Sequence, residues 1–275
     1  MSYGNSVTEI FKNRAPLDAQ ILEQELLLRQ CLWQNAMIKD EVTSTNDIAR
    51  DLISSNIKEG TFVLANFQTK GRGRQNRNWE APKNSSIFIS IVLKPNSEKN
   101  LGWIPLLIGL ALHKALESET RKEIKIKWPN DLVLLENNQE YKFAGILVER
   151  INDYVIAGVG INFDQEKDEL PVSNASSLKQ ILQSEISKES VIAAFLTELS
   201  ARWLEENNAS TWPTPLLVRD FKTNCITIDK KITAQLPSGE VIEAVAIDIS
   251  QTGELVVKTD DGTRSLSSAD IHLIS

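Results

Sequence analysis

Residues 70–82 read KGRGRQNRNWEAP and set Arg72, Arg74 and Arg77 beside Gly71, Gly73 and Trp79. Glycine opens backbone conformations closed to other residues, and guanidinium groups are planar forks matched to carboxylate and phosphate. The spacing describes an anion clamp, with an indole placed to cover a ligand or another loop. Taken alone, the same residues describe a solvated basic loop equally well. Other segments carry the same ambiguity. KWPNDL (127–132) puts Asn130 and Asp131 at the end of an apolar strand, where a plain Pro-Asn-Asp turn needs no function. YKFAGILVER (141–150) places Lys142 at the entry of a buried strand, with Gly145 where a ligand or neighbouring backbone can come close. GVGINF (158–163) repeats the pattern with Gly158, Gly160 and Asn162, for which strand packing is the plain reading.

Several chemistries are excluded. There is no G-x-x-x-x-G-K-[ST] run, and GRGRQN lacks the third glycine of a dinucleotide fingerprint. His113 and His272 have no neighbouring ligand or nucleophile set, so packing or solvent exposure explains both. Cys31 and Cys225 form no C-x-x-C pair, which excludes a disulfide framework or structural zinc and fits a reducing compartment. With a net charge of -7, the chain has no global field to draw nucleic acid or an acidic membrane surface, so any anion must be held by a local cluster. The N-terminus lacks a secretory h-region, and LGWIPLLIGLAL (101–112) is too short to span a bilayer; a cytoplasmic protein without membrane contact is expected.

The elements that must position these residues follow from periodicity. Residues 17–34 predict a helix starting near Pro16, with Ile21, Leu28, Cys31 and Leu32 on its apolar face. In EVTSTNDIARDLISSN, small hydroxyl residues cap a second helix and bring Ser44, Thr45 and Asn46 to its N-terminus, with Ile48, Ala49, Leu52 and Ile53 facing inward. TFVLANFQ (61–68) and SIFISIVL (86–93) predict strands on either side of the arginine loop. A helix over 102–119 precedes the strand IKIKW, and LVLLE, FAGILVERI and YVIAGVGINF read as three more strands, the last two joined at Asn152-Asp153. An amphipathic helix over 190–206 has Ser190 as its cap, and a short helical piece lies near LLVRDFK. From 226 onward the texture changes to short strands separated by SGE, QTGE and DDG turns, a small all-β unit. The fold class is α+β: a mixed β-sheet backed by helices, with a small C-terminal all-β barrel or sandwich. The expected divisions are 1–39 as an N-terminal helical extension, 40–224 as the main domain and 225–275 as the β domain.

Taken in order, TSTND (43–47), FQTKGRGRQNRNW (67–79), KWPNDL (127–132), KFAGILVE (142–149) and GVGIN (158–162) closely resemble the signature blocks of biotin protein ligases. The resemblance runs from about 40 to the C-terminus, and the small β unit resembles that family's SH3-like C-terminal domain. One departure is visible. The family's loop reads G-R-G-R-x-G-R-x-W, and this chain has Asn76 at the second-block glycine; asparagine best tolerates positive φ among other residues, so the turn is expected to survive. Bifunctional members carry a winged helix upstream. The forty or so residues here hold one clear helix, so no DNA-binding role is expected.

The resemblance implies an enzyme of the biotin–[acetyl-CoA-carboxylase] ligase type. ATP adenylates the biotin carboxylate, pyrophosphate leaves, and a lysine of a biotin carboxyl carrier protein attacks the mixed anhydride. It implies Arg74 and Lys142 as catalytic residues. Biotin would be held by Ser44, Thr45, Asn46, Gln68, Gly71, Arg72, Gly73, Arg74, Lys142 and Gly145. ATP would meet Arg74, Arg77, Trp79, Asn130, Asp131, Lys142 and Asn162, with Asp131 also near Mg²⁺. Biotin's ureido ring has two N–H donors and one carbonyl, which Ser44, Thr45, Asn46 and Gln68 suit; the strands around Gly145, Gly158 and Gly160 would wall its apolar part. The loop at 71–79 is expected to order over the reactive intermediate. A monomer or homodimer is compatible with the sequence. The competing readings are a lipoate protein ligase, which shares the fold but lacks the arginine loop and KWPNDL; a catalytically dead biotin sensor; and a nucleic-acid-binding module using the loop on phosphates and Trp79 or Trp128 on bases.

Overall fold

A computed structural model of the chain describes residues 14–55, 57–96, 101–120, 122–136, 139–182 and 186–274; the first part of the expected N-terminal extension and the side chain of Asn76 lie outside the described residues. The larger sheet joins β1 (Ala36–Val42), β2 (Phe62–Gln68), β3 (Ser86–Leu93), β4 (Ile124–Lys127), β5 (Asp131–Glu136), β6 (Gln139–Ile151) and β7 (Tyr154–Asn162) in the order β1-β2-β3-β7-β6-β5-β4. The β1–β2 pair is parallel and the other pairs are antiparallel, so the sheet is mixed. β3 lies near its centre and is buried on both faces, which is why SIFISIVL has apolar residues at both alternations.

Helices cover the two faces unequally. α2 (Thr45–Ile53) packs Ala49 against Val63, Val92 and Ile156, with Ile48, Leu52 and Ile53 around them, as the sequence pattern predicts. α1 (Ala19–Leu28), α3 (Trp103–Thr120), α5 (Lys188–Asn207) and α6 (Pro215–Asn224) belong with the main core, and short α4 (Leu178–Ile181) adds Leu178 and Ile181 to it. α3 is apolar nearly all round because it is enclosed between the sheet, α5 and α6. His113 within it is fully buried, and burial pushes its imidazole pKa down. No helix among the described residues is long and apolar enough to cross a membrane.

Two helix readings need correction. α1 is capped by Asp18, whose side chain accepts from Gln20 N and Ile21 N, and it buries Leu22 and Leu26. Of the four residues expected inside, Cys31 is buried, whereas Ile21, Leu28 and Leu32 are exposed, Leu28 by 79%. The run ELLL offers two apolar faces about one residue apart, and packing against α5 and the main core selects between them. α5 starts at Lys188 with Ser187 as its cap; Ser190 N donates to the Ser187 hydroxyl, placing Ser190 inside the first turn.

The smaller sheet contains β8 (Lys231–Gln235), β9 (Val241–Ile249), β10 (Leu255–Thr259), β11 (Gly262–Leu266) and β12 (Asp270–Leu273), all antiparallel, in the order β11-β10-β9-β8-β12. It is tied to the larger unit by backbone and indole bonds. Ile226 N donates to Ile126 O, and the indoles of Trp103 and Trp128 donate to Ser250 O and Gly253 O. These bonds bring β12 and the turn before it beside the end of β4, next to the arginine loop.

Candidate active site

α2 and β2 build the first wall. The Ser44 hydroxyl accepts from Asn46 N as the α2 cap, leaving Ser44, Thr45 and Asn46 buried at the helix start. Gln68 Oε1, at the end of β2, accepts from Thr45 N at 2.7 Å and from Thr45 Oγ1 at 3.2 Å. The Ser90 hydroxyl, rising from β3, faces Thr45 Oγ1 at 2.7 Å and Asn46 Oδ1 at 2.5 Å. Asn46 Nδ2 donates to Glu149 Oε2 at 2.5 Å.

The second wall is the arginine loop, a small hairpin with an Arg72–Asn78 bridge. Gly73 N donates to Arg77 O, and Trp79 N donates to Gly71 O. A β-carbon on Gly71 would lie 2.3 Å from Trp79 O, so this position must be glycine for the hairpin to close. The left-handed residue in the loop is Gln75, at φ 54°. The indole of Trp79 lies on Gly145 and Gly160, which face each other across β6 and β7; a β-carbon on either would come within 2.9 Å of the ring. Gly158 makes the same room for Asn46 Oδ1. The close approach expected of a ligand at these glycines is therefore made by Trp79 and Asn46. Gly145, Gly158 and Gly160 also line the cavity, together with Phe88, Val133, Leu147 and Val159.

The three arginines differ in what holds them. Arg72 forms a bidentate pair with Asp47, at 3.0 and 2.7 Å, and lies 3.6 Å from Glu149. The hydrogen bond from Arg72 holds the Asp47 carboxyl below its ordinary range despite partial burial, and the same pairing raises the guanidinium. Arg77 reaches Asp270 and Gln75 from an exposed position. Arg74 is the most enclosed, and its hydrogen-bond partners are neutral: Asn130 Oδ1 at 2.9 Å and the Ser268 hydroxyl. Burial lowers its pKa, with Asp131 and Asp270 acting from a distance in the opposite sense. A desolvated cation with neutral partners is prepared to accept an anion.

Lys142 Nζ, on β6, pairs with Asp131 Oδ1 at 2.6 Å and sits 5.9 Å from the centre of the Trp79 ring. Asn130 is fixed by Ile146, its Nδ2 donating to Ile146 O at 2.9 Å. Asn162 donates to Ser176 O and accepts from Gln165 Nε2, which anchors the segment after β7 beside Lys142. Trp79 Nε1 is buried with no hydrogen-bond partner among the described residues, a donor that a ligand acceptor would satisfy.

These groups surround one cavity of about 660 Å³. Every site residue expected from sequence lines it except Gly71, which acts on the loop backbone. Sequence reasoning missed Ser90, Ser268, Asp270, the Lys127–Glu140 pair at 2.5 Å, and the 171–175 segment. His272, expected to be packed or solvent-exposed, is exposed and lines the cavity from β12. Ser90 had a usable signal, a hydroxyl in an otherwise apolar strand core. Ser268 and Asp270 had none.

The chain matches a family model described as the Biotin/lipoate A/B protein ligase family over residues 39–165, and one described as the Biotin protein ligase C terminal domain over 227–273. A biotin–[acetyl-CoA-carboxylase] ligase of Mycobacterium tuberculosis is 29% identical over 97% of this chain and 100% of its own length. The bifunctional ligase/repressor BirA of Bacillus spizizenii is 30% identical over 90% of this chain and 76% of its own. Among solved structures, the biotin protein ligase from Aquifex aeolicus in complex with biotin and ATP aligns with a TM-score of 0.75 at 26% identity, covering 88% of this chain and 99% of that one.

Proposed function

This chain belongs to the biotin/lipoate A/B protein ligase family, and on that premise we propose that it is a biotin protein ligase acting at the 660 Å³ cavity. It condenses biotin with ATP to biotinoyl-5′-AMP, releasing pyrophosphate, and passes the biotinoyl group to one lysine of a biotin carboxyl carrier protein. The observation that carries this reading is convergence: five blocks spread from 43 to 162 meet around one cavity, with neutral polar groups at one end and cations at the other.

In the first step a carboxylate oxygen bonds to the α-phosphorus and the bond to the bridging oxygen breaks, so negative charge accumulates between two anions. Arg74 is placed to neutralise it, since an incoming anion replaces neutral partners and offsets the cost of its burial. Lys142 reaches the same space by leaving Asp131. Arg72 and Arg77 exchange Asp47 and Asp270 for substrate oxygens, and Trp79, Asn130 and Asn162 wall the nucleotide. At the other end, the ureido ring meets Ser44, Thr45, Asn46 and Gln68. In the second step the carrier's lysine amine attacks the carbonyl carbon, AMP leaves, and the amine loses a proton.

Magnesium is implied for the nucleotide. Among the described residues no group of three His, Cys, Asp or Glu could hold a metal, but magnesium commonly binds through one or two carboxylates together with phosphate oxygens and water. Asp131 on the cavity wall fits that mode. Bound there, the ion would neutralise phosphate charge.

The test is biotin-dependent exchange of labelled pyrophosphate into ATP, which needs no carrier. The unsubstituted protein is expected to catalyse it, and Lys142→Ala to lose most of the rate. Exchange that is supported by lipoate and not by biotin would refute the assignment.

A further inference from the structure

The last residue of the block KFAGILVE, Glu149, has no part in the steps above, yet its carboxylate touches the site. Asn46 Nδ2 donates to Glu149 Oε2 at 2.5 Å, and Arg50 holds the other oxygen at 2.9 Å. Asn46 is 3% exposed and its amide is gripped on both sides, because Ser90 Oγ lies 2.5 Å from Oδ1. Resting on the biotin ligase reading, we infer that Glu149 is a positioning residue for recognition of the ureido ring: it sets which end of the Asn46 amide is donor and which is acceptor.

Hydrogen-bond polarity fixes the amide. An ionised carboxylate only accepts, so the amide nitrogen must face Glu149 and the oxygen must face Ser90. Ser90 in turn commits its single proton toward the pair formed by Asn46 Oδ1 and Thr45 Oγ1. At the far end, Thr45 N can only donate, which fixes Gln68 with Oε1 toward the helix and Nε2 away from it. Two groups of unambiguous polarity thus bracket Thr45, Ser90, Asn46 and Gln68. A ring that presents two donors and one acceptor needs such a fixed pattern, since a reversed amide would set donor against donor. Gly158 enforces the same placement sterically, because a β-carbon there would lie 2.3 Å from Asn46 Oδ1.

Loss of the carboxylate frees the amide to turn. Glu149→Met, which keeps the volume and removes the acceptor, is expected to raise the Kd for biotin by roughly tenfold to a hundredfold, the range of a lost charged hydrogen bond. Its KM for ATP should stay within about threefold, since Arg72, the loop residue 3.6 Å from Glu149, keeps its bidentate grip on Asp47. Glu149→Gln keeps an oxygen facing Asn46 and should recover most of the affinity. Arg50→Met, which removes the nearer of the two arginines beside Glu149 without touching Asn46, should leave biotin binding within about threefold. The measurements are titration calorimetry with biotin, ATP kinetics in the exchange assay, and thermal midpoints. If Glu149→Met does not fold, Ser90→Ala removes the opposite grip and is expected to weaken biotin several-fold. A folded Glu149→Met with unchanged biotin affinity, parallel rises for biotin and ATP, or an unweakened Ser90→Ala would each overturn the inference. Failure of the unsubstituted protein to bind biotin would overturn the parent reading as well, so the two failures are distinct.

Discussion

The two ends of the cavity are built on different physical terms. The ring end consists of Ser44, Thr45, Asn46, Gln68, Ser90 and Glu149, which sit on a helix start and three strands and are tied to one another by hydrogen bonds. The charge end consists of cations on a hairpin loop and at a strand entry, whose partners are borrowed: Asp47, Ser268, Asp270 and Asp131. Burial explains the difference. A neutral amide in a packed wall is costly to leave unpaired, so it is fixed during folding. Arg72 and Arg77, nearer solvent, gain little from any one partner, and the enclosed Arg74 has neutral hydrogen-bond partners, so these contacts can be exchanged. On the proposed reading, selection of the vitamin belongs to a preformed surface, and charge neutralisation to a set of replaceable ion pairs.

Substitutions can break or sharpen this contrast. The largest effect is expected for Arg74→Ala, which should lower the rate of biotin-dependent pyrophosphate exchange about a hundredfold to a thousandfold while calorimetric biotin affinity changes little. Equal losses in both would merge the two ends. Gly158→Ala comes next: the new methyl collides with Asn46 Oδ1, and denaturant unfolding should show about 1–3 kcal/mol of destabilisation together with weaker biotin binding. Asp270→Ala releases Arg77 from its partner and should lower the KM for ATP by a few-fold, as measured in initial rates. A rise would show that the pair positions Arg77 and does not compete for it.

The smallest effect concerns acid. The Asp47 carboxyl is held below its ordinary value of 3.8 by Arg72, so its folded state binds the proton less readily than the unfolded chain. That contribution is complete above the ordinary value and is lost as pH falls through the folded one. Asp47→Asn should therefore flatten the acid limb of the stability profile by under ~1 kcal/mol, measured by urea unfolding between pH 3 and pH 7.

The contrast also explains what could be read in advance. The ring end and the loop were legible because their residues lie in short contiguous blocks whose spacing follows local backbone geometry: a cap at Ser44, glycines at 71 and 73, a strand entry at Lys142. Strand order was not, since β7 inserts between β3 and β6 through pairing that no local pattern encodes. The borrowed partners Ser268 and Asp270 stand some 194 residues from the arginines they meet and are ordinary exposed-turn residues in sequence. The inward face of α1 was misjudged because ELLL supports two faces, and tertiary packing against α5 and the main core decides. Asn76 drew attention as the odd residue of the loop, while the left-handed turn falls on Gln75, a residue with no special preference for it.

Hydrogen exchange of backbone amides, with and without biotin plus ATP, tests the contrast most directly. The account predicts that amides of 71–79 gain strong protection when both ligands are present, as the cations trade protein partners for substrate oxygens, whereas amides of 45–49 and 86–92 are protected from the outset and change little. Protection that rises equally in both regions, or a loop already protected and indifferent to the ligands, would contradict it.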